Sequence, residues 1–175
     1  MKELIDNAVE MARLDTAHID VHPEIFNLQD TLQDVLASMQ TEIDDRPIRV
    51  VCDERIPPMA FDRRLMKFAI KQLLDNALKY SSSEMPVEIQ MHGKNAILTM
   101  EITDHGEGIA VEEQTQIFER FFRSPSIKAQ IPGSGLGLSI AHRIVQAHSG
   151  ELTVSSQPGQ TTFRITLPVL KQVIP

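Results

Sequence analysis

Two glycine-rich stretches dominate the centre of the sequence, Asp104-His105-Gly106-Glu107-Gly108-Ile109 and Gly133-Ser134-Gly135-Leu136-Gly137-Leu138. A phenylalanine-rich segment, residues 117–123, lies between them and is followed by Ser, Pro, Ala and Gln without an apolar period. Because glycine adopts backbone conformations that other residues avoid, the two stretches predict hinges. The segment between them, at about residues 112–134, is therefore predicted to be a mobile lid, and we call it the lid.

The charge pattern around the lid indicates an anionic ligand. Four Lys and Arg residues and no Asp or Glu occur from Arg120 to Gly150, although the whole chain has a net charge of −7. Alternate glycines before an apolar helix direct backbone N–H groups into one concavity, and the helix predicted from near Leu136 adds the positive end of its dipole. Phosphate is the expected occupant of such a site.

Asp104 is the candidate for recognising a base. It follows the apolar run of residues 96–103, which predicts a strand, and the glycines after it allow close backbone approach. A carboxylate here can accept a hydrogen bond from an exocyclic amino group such as that of adenine. Each glycine motif alone also fits an ordinary strand-ending turn or loop, so the nucleotide interpretation depends on their pairing.

Length and composition predict one soluble domain with a core of ordinary size, since the chain has 175 residues. Its acidic balance and its aromatic content of 5% disfavour a general nucleic-acid surface. No apolar run reaches the roughly 18 residues of a membrane span, and the single Cys52 has no disulfide role. We therefore expect a cytoplasmic location, no nucleic-acid partner and no direct membrane contact.

A long helix is predicted from its cap Asp62 to about Tyr80, with an apolar stripe on one side. Its polar side is formed by residues at i, i+4, i+7 and i+8: Gln72, Asn76, Lys79 and Tyr80. The Asn76 amide oxygen suits Mg²⁺, which prefers oxygen ligands and keeps substrate phosphates in its shell. Lys79, one turn on, can reach the same phosphates. A solvated polar face is the alternative interpretation.

The segments before this helix predict a first helix from the cap Asn27 through Ile43 and a short strand through Cys52. Residues 4–15 carry a short helical stripe. This stripe is either the end of a longer coiled-coil or bundle helix or an amphipathic helix packed on the domain.

Two hairpins and a third helix complete the predicted fold. The hairpins cover residues 87–103, with a turn at 93–95, and residues 151–167, with a turn at 157–160. The helix after the lid is predicted to end at Gly150 as a left-handed cap. The fold class is α+β: a two-layer sandwich with a mixed, mostly antiparallel sheet of about five strands, covered on one face by three helices.

Four segments in this order resemble the asparagine, first glycine, phenylalanine and second glycine boxes of the catalytic ATP-binding domain of bacterial sensor histidine kinases. These segments are residues 72–80, 104–109, 118–122 and 133–138. That family belongs to the superfamily of DNA gyrase, heat-shock chaperones and mismatch-repair ATPases, with its Bergerat-type ATP-binding fold. The resemblance implies a catalytic domain at residues 23–175, preceded at 1–22 by a remnant of the dimerisation domain's second helix and a linker.

The resemblance implies a role for each motif residue. Asn76 would hold the Mg²⁺ that bridges the phosphates of ATP, and Asp104 would bind the adenine amino group. The other implied nucleotide-binding residues are Lys79, Tyr80, Gly106, Gly108, Ile109, Arg120, Phe122, Arg123, Gly133, Ser134, Gly135, Leu136, Gly137, Leu138 and Thr161. The implied catalytic residues are Gln72, Lys79 and Arg123. The spacing does not decide whether Arg120 or Arg123 reaches the phosphates.

The sequence departs from the family pattern at two positions and lacks one part of the machinery. Gln72 stands where the family often has Asn, and Gln160 stands where a glycine is usual. The family phosphorylates a His followed by an acidic residue on a dimerisation helix, and none of the six histidines here is followed by Asp or Glu. The resemblance thus implies a kinase module that phosphorylates a histidine on a separate dimerisation domain, with a response regulator downstream and a full-length homodimer.

Three alternatives remain open at this point. One is an ATPase of the same superfamily, in which Gln72 or Asp75 would have to activate water. Another is a serine kinase of the anti-sigma type, and the third is a degenerate pseudokinase used only for interaction.

Overall fold

The computed structural model describes residues 19–53, 56–125, 131 and 133–169. The predicted helix at residues 4–15, and with it most of the predicted N-terminal remnant, lies outside the described residues. So do lid residues 126–130 and 132.

The elements follow in an order close to the predicted one. They are β1 (Glu24–Phe26), α1 (Leu28–Ser38), α2 (Gln40–Ile43), β2 (Ile48–Cys52), β3 (Met59–Phe61), α3 (Arg63–Tyr80), β4 (Val87–Lys94), β5 (Ile97–Asp104), a 3₁₀ helix (Gln116–Phe118), α4 (Gly137–Ala147), β6 (Glu151–Gln157) and β7 (Gln160–Pro168).

The main sheet has five strands in the order β2-β4-β5-β7-β6. Strands β2 and β4 are parallel, and the other neighbouring strands are antiparallel. The mixed, mostly antiparallel sheet is therefore confirmed. The sequence analysis missed the small antiparallel sheet of β1 and β3, because three-residue strands are too short to show a period of two.

One face of the main sheet is apolar and the other is polar. Alternate residues of β4, β5 and β7 are buried, and α3 packs against β5 and against both α1 and α4. On the opposite face, Arg164 donates from Nε to Glu101 Oε1 at 2.7 Å between paired positions of β7 and β5. The predicted two-layer sandwich is confirmed.

Both predicted N-terminal helix caps are present. Asn27 Oδ1 accepts a hydrogen bond from the Gln29 N–H at 2.9 Å, and Asp62 Oδ1 accepts from the Leu65 N–H at 3.1 Å. The prediction of one helix through Ile43 is wrong, because α1 ends at Ser38 and α2 begins at Gln40. The Ser38 hydroxyl donates to the Val35 carbonyl at 2.8 Å, a local bond that competes with a continuous helix.

Two turn predictions also need correction. The first hairpin turns at Asn95 and Ala96, with φ of 54° and 59°, so Gly93 lies within β4 instead of in the turn. At the end of α4 the left-handed residue is Ser149, with φ of 57°, and not Gly150. Gly150 is needed for space, because a Cβ there would lie 2.4 Å from the Thr166 carbonyl oxygen.

Candidate functional site

A cleft of about 1200 Å³ opens between the C-terminal half of α3, the loop after β5, the lid and the start of α4. All four sequence motifs contribute to its walls. The predicted positions that line it are Gln72, Asn76, Lys79, Tyr80, Asp104, Gly106, Gly108, Ile109, Phe122, Arg123, Gly133, Ser134, Gly135, Gly137, Leu138 and Thr161. Segments far apart in the sequence thus converge on one concavity.

Two predicted positions do not line the cleft. Leu136 is only 7% exposed and belongs to the hydrophobic core, as its apolar side chain favours. Arg120 is solvent-exposed, whereas Arg123 lines the cleft and donates from Nη2 to the Ile131 carbonyl oxygen across the lid. Of the two lid arginines, the structure therefore brings Arg123 to the cleft.

Asp104 is a buried carboxylate at the end of β5. Its side chain is almost inaccessible, at 3% exposure, and its backbone pairs with Thr161 on β7. Burial raises the pKa of Asp104 to about 6, and the Gly106 N–H, Arg46 and His105 act in the opposite direction. The Gly106 N–H donates to Asp104 Oδ1 at 2.9 Å, which leaves the other carboxylate oxygen available to a ligand.

The loop after β5 packs closely against α3 at one side. A Cβ at Gly106 would lie 2.1 Å from the carbonyl oxygen of Tyr80, the last residue of α3. No side chain larger than hydrogen fits there without moving the backbone. This close approach places Asp104 and the end of α3 on the same cleft.

The same loop is fastened to the β6–β7 hairpin at its other side. Ser156 Oγ accepts from the Ile109 N–H at 2.9 Å and lies 2.8 Å from the Thr161 hydroxyl. Gln114 Nε2 donates to the carbonyls of Ile109 and Ser156, both at 3.0 Å. Sequence reasoning missed Gln114 and Ser156, because their partners lie more than forty residues away or in a different element.

Gly108 and Gly159 form a matched pair for measuring how much the contact between this loop and the hairpin stabilises the domain. Their φ angles are 88° and 86°, but a Cβ at Gly108 would lie 2.6 Å from the Gln157 carbonyl oxygen, whereas one at Gly159 meets nothing within 4 Å. We expect Gly159→Ala to cost about 1 kcal/mol through backbone strain alone, and Gly108→Ala to cost about 2 to 3 kcal/mol. Chemical denaturation of both variants measures the difference. Equal losses would show that contact with the hairpin contributes nothing.

Helix α3 presents its polar residues to the cleft, as predicted from their spacing. Asn76 lines the cleft, and its side-chain amide makes no hydrogen bond to another described residue. Lys79 Nζ forms an ion pair with Asp75, one helical turn before it. Asp75 was not among the predicted binding residues. Asp75 could have been found, since its spacing of four residues from Lys79 is typical of a helical ion pair.

Gln72 lies deeper than the other residues of this face. It is 6% exposed, and its Oε1 would lie 2.4 Å from a Cβ placed on Gly137, the first residue of α4. The side chain therefore packs between α3 and the start of α4, where the second glycine stretch turns into a helix.

Backbone contacts join the middle of the lid to the second glycine stretch. The Phe121 N–H donates to the Gly135 carbonyl at 2.9 Å, and a Cβ on Gly135 would lie 2.8 Å from the Phe122 carbonyl oxygen. Ser124 Oγ donates to Glu113 Oε1 at 2.9 Å, and both residues line the cleft. Glu113 was missed, because an acidic residue in a helical turn has no distinguishing sequence pattern.

Comparison with known proteins assigns this fold and its cleft to a family of ATPases. Residues 61–171 match the family described as histidine kinase-, DNA gyrase B- and HSP90-like ATPase. This match covers more than half of the chain, and the chain belongs to that family.

A named relative and one solved structure agree with this assignment, and a second solved structure shares the fold. The adaptive-response sensory kinase SasA of Synechocystis sp. is 32% identical over 175 residues, covering 98% of this chain and 45% of SasA. The mycobacterial sensor histidine kinase MprB has a TM-score of 0.75 and 29% identity, covering 86% of this chain and 100% of that structure. The full-length ShkA structure in complex with AMPPNP has a TM-score of 0.84 and 21% identity, covering 97% of this chain and 36% of ShkA. This chain thus spans less than half the length of SasA.

Proposed function

We propose that this chain is the ATP-binding catalytic domain of a sensor histidine kinase, which transfers the γ-phosphoryl group of ATP to a histidine on a separate dimerisation domain. The observation that supports this most strongly is the convergence of the four motifs on one cleft. SasA and MprB are named as kinases of this type, and ShkA, which shares the fold, was solved with the ATP analogue AMPPNP.

The cleft offers a place for each part of the nucleotide. In this proposal Asp104 accepts from the adenine amino group, with Thr161 beside it and Gly106, Gly108 and Ile109 forming the wall around the base. Lys79 and Arg123 neutralise the phosphates, and Tyr80 lies beside the phosphates or the sugar. The remaining residues proposed to surround the phosphate tail are Phe122, Gly133, Ser134, Gly135, Gly137 and Leu138.

The donor set of the cleft fits Mg²⁺ held jointly with the nucleotide. Among the described residues, no group of three or more His, Cys, Asp or Glu side chains is placed to hold a metal by itself. Asn76 supplies an amide oxygen that makes no hydrogen bond to another residue in the described part of the chain, and Mg²⁺ usually takes one or two protein ligands and completes its shell with phosphates and waters. We propose Asn76 as that ligand, with Mg²⁺ supplying charge neutralisation at the phosphates.

Catalysis in this proposal is mainly positioning and charge neutralisation, as is usual for phosphoryl transfer. Lys79 and Arg123 would stabilise the charge on the phosphates, and Gln72 would act by holding the start of α4 against α3 and not as a base, since an amide does not accept a proton at neutral pH.

The partners follow from the same proposal. Residues 23–175 would be the catalytic domain, with the lid at about 112–134, and residues 1–22 the end of a dimerisation domain and a linker. The parent protein would be a homodimer that passes the phosphoryl group to a response regulator, with this domain in the cytoplasm and in contact with neither nucleic acid nor membrane. In the part of the chain that the structure describes, no helix is long and apolar enough to span a bilayer.

Reconstituted phosphoryl transfer tests the proposal. With Mg·ATP and an added fragment carrying a histidine-bearing helix pair, this chain should form acid-labile phosphohistidine on the fragment and hydrolyse almost no ATP. Asn76→Ala should lower transfer by about 100-fold, because the metal loses its protein ligand.

The control variant is Gln90→Ala, an exposed residue of β4 away from the cleft, which should leave transfer unchanged. Sustained ATP hydrolysis without transfer to any of several acceptor fragments would instead support an ATPase of the same superfamily. Phosphorylation of a protein serine would support the anti-sigma-type kinase.

A further inference from the structure

Arg46 is a buried cation outside the cleft that the sequence motifs do not include. It precedes β2 and is 9% exposed. Its guanidinium donates from Nη1 to the carbonyls of Leu78 at 2.9 Å and Ser81 at 3.2 Å, and from Nε to the Met85 carbonyl at 3.1 Å. Its Nη2 also donates to the Ser81 hydroxyl. All four of these hydrogen bonds go to one short stretch, residues 78–85.

The stretch that Arg46 holds begins in the last turn of the helix that lines the cleft and continues past its end. The last carbonyl groups of a helix lack hydrogen-bond partners within the helix and carry the negative end of its dipole. A guanidinium at this end therefore supplies both hydrogen-bond donors and a favourable positive charge. Lys79 and Tyr80 lie between the anchored carbonyls of Leu78 and Ser81, and Gly106 packs against the Tyr80 carbonyl. Arg46 thus fixes the backbone on which two cleft residues and the loop after β5 depend.

Arg46 also acts on Asp104 through its charge. Burial raises the pKa of Asp104 to about 6, while the Gly106 N–H, Arg46 and His105 oppose this rise. His105 in turn faces Glu88 of β4 at 3.7 Å. The other charged residues that line the cleft are Asp75, Lys79, Glu107, Glu113 and Arg123.

We propose that Arg46 is a positioning residue of the nucleotide site that fixes the last turn of α3 through its hydrogen bonds. Its charge, which opposes the rise in the pKa of Asp104, supports the same role. This inference rests on the proposed nucleotide-binding function. Its two parts, hydrogen bonding and charge, can be separated by substitution.

The experiment measures Mg·ADP affinity by calorimetry for the whole chain and two variants between about pH 5 and about pH 8. Arg46→Lys keeps the charge but loses the fork of donors, and we expect about threefold weaker binding with an unchanged pH profile. Arg46→Gln loses the charge, and we expect about tenfold weaker binding at neutral pH, with the acid-side loss of affinity beginning at a higher pH. Protonation of ADP itself is common to all variants and cancels in the comparison.

Arg164→Gln is the control, because it removes a cation from the polar face of the sheet, half exposed and paired with Glu101. It should change neither the affinity nor the pH profile. Hydrogen exchange at residues 79–82 supplies a second readout, and it should become faster in both Arg46 variants while the exchange of β7 stays unchanged.

Equal affinities and superimposable pH profiles for the chain and both Arg46 variants would overturn the inference while leaving nucleotide binding intact. If Arg46→Gln does not fold, Arg46→Lys decides: unchanged affinity together with unchanged exchange at residues 79–82 would contradict the role. Absence of Mg·ADP binding by the unsubstituted chain would instead refute the proposed function itself.

Discussion

Asp104→Asn is expected to lower the affinity for Mg·ATP by about 100-fold while making the nucleotide-free domain more stable. The Asn side chain can still accept from the Gly106 N–H, as Asp104 Oδ1 does at 2.9 Å. Its other end becomes an NH₂ donor, which would face the amino group of adenine, also a donor. Isothermal titration calorimetry measures the affinity.

The gain in stability follows from the sign of the pKa shift. The pKa of Asp104 rises from 3.8 to about 6 in the folded state, mainly through burial. The folded state therefore favours the protonated carboxyl, and this contribution is complete below about pH 3.8 and is lost as the pH rises through about 6. At pH 7.5 the ionised carboxylate is a cost that the neutral Asn avoids, by about 1 to 2 kcal/mol.

Two measurements check this pairing of effects. Thermal unfolding of the nucleotide-free variant at about pH 7.5 should give a higher Tm than the unsubstituted chain, and the difference should vanish near pH 4. The affinity of the unsubstituted chain should fall as Asp104 protonates, whereas the variant should lack that component. Unchanged nucleotide affinity in Asp104→Asn would remove this carboxylate from the binding site.

Gly106→Ala is expected to lower nucleotide affinity below detection and to destabilise the domain by about 2 kcal/mol or more. The new methyl group would lie 2.1 Å from the Tyr80 carbonyl oxygen and 3.0 Å from Asp104 Oδ1. The first of these is a backbone atom at a helix end that cannot move aside as a flexible side chain does. The loop must therefore shift away from α3, which separates the groups proposed for the base from those proposed for the phosphates.

Gly93→Ala and Gly133→Ala are matched controls, because a Cβ at either position meets nothing within 4 Å. Gly93 lies in β4 and Gly133 lies in the lid, so the pair also separates a cleft residue from a remote one. Both variants should keep a Tm close to that of the unsubstituted chain, measured by scanning calorimetry. A stable Gly106→Ala variant that binds Mg·ATP normally would show that the loop and α3 need not touch.

Much of the fold could be predicted because its signals are local. The apolar stripe of α3 and its Asp62 cap, the alternation along β4 and β5, and the Pro158-Gly159 turn each depend on a few neighbouring residues. The misplaced features were local as well, but depended on small differences. Ser149, and not Gly150, has the left-handed backbone conformation. Gly150 instead packs closely against the sheet, and no sequence pattern reveals this contact.

The candidate site was predictable as a set of motifs and not as an arrangement. Regular spacing placed Asn76 and Lys79 on one side of a helix, and the glycine stretches marked the loops that approach them. Residue spacing could not distinguish Arg123 from Arg120, which lie three residues apart in an irregular segment. Only the path of the lid backbone decides which of the two side chains reaches the cleft.

By itself the sequence determined the helices and strands, their order and the kinds of side chain available at the site. It could do so because helical and strand periods, caps and glycine positions depend on only a few neighbouring residues. The tertiary structure alone decided which groups meet: Arg46 with the end of α3, Gln114 with Ser156, and Asp104 with its buried surroundings. These contacts join residues far apart in the chain, and their strength depends on burial and distance, which exist only once the helices have packed on the sheet.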